Sequence, residues 1–206
     1  MAKQPRSAPT INRLIDAVVE RLLTGDESLI RIPEVCDATG INYGSVYHHF
    51  KNREAVIDEA YFRMFSKYVE EEISMISAIT NRSTSFEEFV GGLKTAIAVS
   101  SNNSSRLESR HLRVRIVAVA QTRPELFMRI CAEQSRRTAE IEAYVKENQV
   151  RGLVRTDISA RQIAAAMQAL IFGRTLDDTS NNPSTDEEWA QMTEMMLFSF
   201  LAQPPK

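Results

Sequence analysis

Little in this chain speaks for catalysis. It has two cysteines, Cys36 and Cys131, far apart and in helix-like stretches, which excludes a disulfide framework and leaves two reduced thiols. Of its three histidines only His48 and His49 are neighbours. Adjacent helical residues point about 100° apart, so that pair does not converge on one ion, and His111 has no partner near it in sequence. No metal site is expected. Seven glycines are too few and too scattered for a phosphate-binding loop, and Gly91-Gly92 lie in a helical pattern with no flanking strand. Ser45 and His48 lack the strained elbow a serine nucleophile needs. The chain is therefore not expected to be an enzyme, and no cofactor is called for. No apolar run reaches membrane-span length, and the opening MAKQPRSAPT lacks an apolar signal core, so a cytoplasmic protein with no membrane partner is expected. A net charge of −2 means that any contact with nucleic acid must come from a local patch.

What is present is helical periodicity. From Thr10 apolar residues recur at Ile11, Leu14, Ile15, Val18, Val19, Leu22 and Leu23, the spacing of a helix with one buried stripe. TGDES stops it. IPEVCDAT follows, with Pro33 tolerated in a first turn and Cys36 among the core positions, where a buried thiol is inert. Gly40 ends that helix, Asn42 caps the short YGSVYHH, and Asn52 caps a longer helix from Arg53 past Met64. Five further helices are expected: SFEEFVGGLKTAIAV with Ser85 as cap, RLESRHLRVRIVAVAQ, Pro124 to about Gln149, SARQIAAAMQALIFG and STDEEWAQMTEMMLFSFL. The fold class is all-α. Both tails read as disordered. Nothing in the spacing of the basic AKQPR stretch fixes it in a minor groove.

Two short helices joined by a glycine-containing turn, the second rich in polar and aromatic residues, describe a helix-turn-helix. Its second helix enters the major groove of DNA. Tyr47, His48, Lys51 and Arg53 supply donors for phosphates, Gly44 and Ser45 are small enough for close approach to base edges, and Tyr43 projects from the first turn.

The pattern Val35-Cys36, Gly40-Ile41, Ser45, Tyr47-His48-His49-Phe50, Lys51, Arg53-Glu54 resembles the tetracycline-repressor (TetR) family of bacterial transcription regulators. So does the order of helices around it, although only residues of about 31 to 60 are specific. The resemblance implies a disordered arm over residues 1–9, a three-helix DNA-binding domain over 10–56, and an effector-binding and dimerisation domain over 57–206. It implies that Tyr47 and Arg53 hold the phosphate backbone while Tyr43, Gly44, Ser45 and His48 face the groove. Tyr43 stands where the family often has a long polar residue, and Pro33 where some members place a base-reading arginine. Base preferences therefore do not transfer.

The resemblance also implies a small-molecule effector held between helices. Phe65, Tyr68, Phe86, Phe89, Phe127 and Met128 are the candidates to line its site, with His111 or Arg115 as polar fixtures, although each of these apolar residues taken singly reads as core. Arg113 and Arg115 flank Val114; one of them, if buried, needs a carboxylate or an anionic ligand, and otherwise both reach solvent. The last two helices carry more apolar surface than one chain covers. Ala165, Ala169, Phe172, Gly173, Trp189, Met192, Met196 and Phe200 are expected at the interface of a homodimer. The expected function is a ligand-released repressor binding a palindromic double-stranded operator. The competing reading is a helical binding or scaffold protein with a degenerate helix-turn-helix.

Overall fold

A computed structural model describes residues 8–101 and 104–201. Among them it contains nine α-helices, one 3-10 turn and no strand: α1 (Ala8–Thr24), the 3-10 turn (Glu27–Leu29), α2 (Ile32–Thr39), α3 (Tyr43–His49), α4 (Arg53–Arg82), α5 (Phe86–Ser101), α6 (Ser104–Ala120), α7 (Pro124–Val150), α8 (Ala160–Asp177) and α9 (Asp186–Leu201). The chain is all-α, as its periodicity predicts. Of the expected arm, residues 1–7 lie outside the described residues, as do residues 202–206 of the expected tail, and Ala8 and Pro9 already belong to α1. A proline in a first turn gives up no helical bond, so α1 extends back through it.

The punctuation read from the sequence is built as hydrogen bonds. Gly40 closes α2 in the left-handed region at φ 67°, and Ile41 N donates to Cys36 O at 3.0 Å. Asn42 caps α3 by accepting from Gly44 N at 2.8 Å, and Asn52 caps α4 by accepting from Ala55 N at 2.9 Å. Each such cap contributes roughly 0.5–2 kcal/mol. A Cβ at Gly44 would come within 3.1 Å of the Asn42 side-chain oxygen, so glycine there protects the cap as well as the surface. At the start of α2, Arg31 makes no side-chain cap, and Pro33 in the first turn removes one orphan donor instead.

Several helices run longer than their apolar pattern. α8 continues past Gly173 to Asp177, because Arg174 pairs with Asp177, Asp178 and Asp186 around that last turn. Gln149 Nε2 donates to the carbonyls of Arg155 and Ile158 at 2.8 and 2.9 Å, folding the α7–α8 connection back on its helix.

Two cores are strung along α7, the first shared with α4. The first joins Leu14, Val18, Val35, Val46, Ile57 and Phe65 to Ile116, Leu126 and Ile130, so the helix-turn-helix packs directly on α6 and the start of α7. The second joins Phe89 and Leu93 of α5 to Ile141, Val145, Ile163 and Leu197. Burial of this apolar area, at about 25 cal/mol per Å², is what holds the helices together.

Candidate functional site

On α3, Val46 is buried and anchors the helix, which leaves Gly44 and His48 exposed on the opposite side, Tyr43 exposed in the first turn, and Ser45 and Tyr47 half-buried beside them. Tyr43 and Tyr47, one turn apart, pair with ring centroids 4.7 Å apart and planes tilted by 53°. The hydrogen bond between their hydroxyls, helped by burial, pushes the Tyr47 phenol above its ordinary value, so it stays a neutral donor. Lys51 extends into solvent and touches Glu125 at 3.2 Å with both side chains about four-fifths exposed, at 79% and 81%. A pair that wet is worth little and leaves the ammonium available.

Arg53 has a different placement from the one its sequence position suggests. Its Nε donates to Ile30 O at 2.9 Å and its Nη2 to Glu27 O, so the guanidinium ties the start of α4 to the 3-10 turn before α2. It acts as a brace between the two ends of the helix-turn-helix. Arg31, exposed at the N-terminus of α2, is a cation that the sequence reading passed over, because nothing in its spacing distinguishes it.

Behind the helix-turn-helix, Arg123 at the N-terminus of α7 donates to Asp58 Oδ1 of α4 at 2.7 Å and to Glu27 Oε1 at 2.5 Å, and its guanidinium lies 6.0 Å from the centre of the Tyr61 ring. Burial alone would lower the Arg123 pKa, but the bonds to Asp58 and Glu27 hold it above its ordinary value. Arg129, one and a half turns on, pairs with Glu59 at 2.8 Å and stacks 3.8 Å from the Phe62 ring centre. No local motif marks these partners, which meet only in the folded chain.

The effector candidates do not gather in one place. Phe65 and Phe127 line a cavity of about 550 Å³ between α4, α6, α7 and α8, together with Arg113, Gln134 and Gln168. Tyr68 lies behind it, its ring 5.2 Å from the Arg113 guanidinium. Phe89 is packed in the second core, and Phe86, His111 and Met128 are exposed away from the lining. Arg115 donates to Leu22 O and caps the end of α1. The arginine of the flanking pair that faces the cavity is Arg113, one residue-pair earlier on the helix.

On α8, Ala165, Ala169 and Phe172 are all exposed and recur at helical spacing along one face, which Leu176 extends. Gly173 instead faces inward, where a Cβ would meet the Trp189 ring at 3.7 Å, and Arg174 lies 5.2 Å from that ring centre. Trp189, Met192 and Met196 are half-buried on α9, Met195 is exposed, and the Phe200 side chain lies outside the described ones.

No protein-family model matches the chain, and no curated protein matches it by sequence. Solved structures do. A protein from Mesorhizobium loti assigned to the TetR family of transcriptional regulators is 20% identical, with a TM-score of 0.75 over 97% of this chain and 98% of its own. The TetR-family transcriptional regulator from Cytophaga hutchinsonii is 16% identical, with a TM-score of 0.70 over 98% of this chain and 100% of its own. A protein from Saccharomonospora viridis, assigned as a transcriptional regulator and solved in complex with choline, is 14% identical, with a TM-score of 0.68 over 92% and 96%. The chain has the fold of the TetR-family transcriptional regulators.

Proposed function

We propose that this chain is a sequence-specific DNA-binding transcriptional regulator of the TetR type, acting as a homodimer whose grip on a palindromic operator is loosened by a small molecule. One observation carries the reading. α3 stands on a glycine turn with Tyr43, Gly44 and His48 open to solvent, in a chain of which 97% follows the fold of a TetR-family protein. In this reading residues 10–56 read DNA, and residues 57–206 hold the effector and the partner. Tyr43, Gly44, Ser45 and His48 approach the bases, Tyr47, Lys51 and Arg31 donate to phosphates, and Arg53 holds α2 and α3 in register.

A dimer formed along the Ala165–Ala169–Phe172–Leu176 stripe of α8, with Met192, Met195 and Met196 of α9 beside it, would give two copies of α3 about 34–36 Å apart, one turn of DNA. The link between cavity and DNA is α7. Its first turn is clamped to the helix-turn-helix through Arg123, and its next turns supply Phe127, Ile130 and Gln134 to the cavity wall. A ligand that prefers one setting of α7 thereby prefers one setting of α3, and its differential affinity fixes how far DNA binding falls.

Fluorescence anisotropy with duplex from upstream of the chain's own gene, against a scrambled duplex at two salt concentrations, tests this. Regulation requires tight, salt-steep binding to the native duplex. Salt-insensitive binding, or none to any genomic duplex in a selection from fragmented genome, favours a helical scaffold instead.

A further inference from the structure

We propose that the cavity between α4, α6, α7 and α8 takes a neutral molecule with an aromatic body, held by its apolar surface and not by a charged head. The proposal deepens the regulator reading and rests on it for the effect on DNA, though not for binding. The polar side of the cavity is already bonded within the chain. Gln134 Nε2 donates to Gln168 Oε1, which also accepts from Arg137 Nη1 at 2.8 Å. Gln168 Nε2 donates to Thr138 Oγ1 and to Ala164 O, each at 3.2 Å. Gln134 Oε1 accepts from Arg113 Nη2 at 3.4 Å, and the Arg113 guanidinium lies 5.2 Å from the centre of the Tyr68 ring. Both arginines have further partners within the chain. The two amides of the lining thus have oxygen and nitrogen engaged by α6, α7 or α8. A ligand that bonded to this layer would have to break it first, and exchanging one bond for another gains little.

What the lining leaves for a ligand is apolar. Phe65 and Ile130 are buried and Val117 half-buried, whereas Phe127 and Phe172 are exposed at 38% and 40%, with Ala169 exposed beside them. Three phenylalanines, one each from α4, α7 and α8, therefore line a single cavity. Packing of ring on ring adds to the burial of apolar area, which favours a flat aromatic body over an aliphatic one. Taking an ion of either sign out of water costs far more than taking a neutral molecule, and a layer bonded to itself repays little of that cost. The volume, about 550 Å³, falls within the roughly 300–1,000 Å³ of small-molecule sites. Ala169 and Phe172 also belong to the α8 stripe, so a dimer formed along it would roof this mouth. Cys131 opens onto the same cavity and is exposed, whereas Cys36 is buried, so a thiol reagent reports on occupancy at one place.

The test uses the full chain and two probes on one skeleton, neutral N-phenyl-1-naphthylamine and anionic 8-anilino-1-naphthalenesulfonate, both of which brighten out of water. The cation trimethyl(1-naphthylmethyl)ammonium enters as a competitor. Fluorescence titration and the rate of maleimide labelling at Cys131 are read together. The neutral probe should bind about tenfold or more tightly than either ion and slow labelling in step with its occupancy. Phe127→Ala should weaken it about threefold or more, whereas Phe127→Trp should retain it, because only the second keeps a ring at the mouth. Equal or tighter binding of either ion, no binding of the neutral probe, or labelling unchanged at saturation overturns the proposal. So does an affinity untouched by Phe127→Ala, or one lost equally in Phe127→Trp. Operator binding is measured separately on the same preparations. Probe binding without sequence-specific DNA binding removes the regulator reading alone, and DNA binding without probe binding removes this inference alone.

Discussion

Arg123 and Asp58 meet at 2.7 Å with both side chains largely withdrawn from water, and they join the N-terminus of α7 to the second turn of α4 across a gap of 65 residues. Lys51 with Glu125 and Arg129 with Glu59 flank that contact. With the Arg123–Glu27 pair at 2.5 Å, it links the helix that lines the cavity to the unit that carries α3.

Removing either partner should therefore act on coupling as well as stability. Arg123→Gln and Asp58→Asn are each expected to cost about 1–3 kcal/mol in urea denaturation, with a pairwise term of about 0.5–3 kcal/mol in the double-mutant cycle. The more telling outcome is functional: operator affinity should persist while its response to ligand shrinks. A full response in Asp58→Asn would place the coupling elsewhere.

Lys51 and Arg53 are two residues apart, and the structure separates their roles. Lys51→Ala should leave stability within about 0.5 kcal/mol of the parent, weaken binding to every duplex and reduce the salt slope by about one. Arg53→Ala strips a donor from the carbonyls of Ile30 and Glu27 and should cost about 1–3 kcal/mol in stability, measured by urea denaturation. If Arg53→Ala loses DNA affinity at unchanged stability, the arginine holds phosphate after all.

The helical order, the glycine turn and both asparagine caps were legible in the sequence because each depends on residues within four positions of one another. Periodicity likewise located α1 and α7 to within a residue or two at most ends. What escaped depends on partners remote in the chain. Arg53 offers no sign, in its own neighbourhood, that the Ile30 carbonyl awaits it 23 positions away. Phe65, Phe86, Phe89 and Phe127 look alike along the chain, yet only the packing of α4 on α7 sorts lining from core and surface. The arginine pair around Val114 left two readings open, one arginine buried or both in solvent, and the α6 register buries Arg113 at the cavity and sends Arg115 to the end of α1.

The α8 stripe gives a prediction about assembly. Ala165 is exposed in the single chain, so Ala165→Glu should leave helicity unchanged while placing like charges across a two-fold interface. Light scattering at micromolar concentration should report a monomer, and operator affinity should fall with it. A persistent dimer would assign the interface to another face.

Gln168 gives a prediction about the buried part of α7. Its Oε1 accepts from Arg137 at 2.8 Å and its side chain lines the cavity. Gln168→Leu removes that acceptor from a fully buried guanidinium and should destabilise by about 1.5–3 kcal/mol. Gln168→Glu keeps the shape and adds the charge. Its carboxylate oxygen still accepts from Arg137, so Gln168→Glu should be at least as stable as the parent at about pH 7. Thermal midpoints of the two variants beside the parent read both effects. A Gln168→Leu midpoint equal to that of the parent would mean that the Arg137 guanidinium is held by its other contacts.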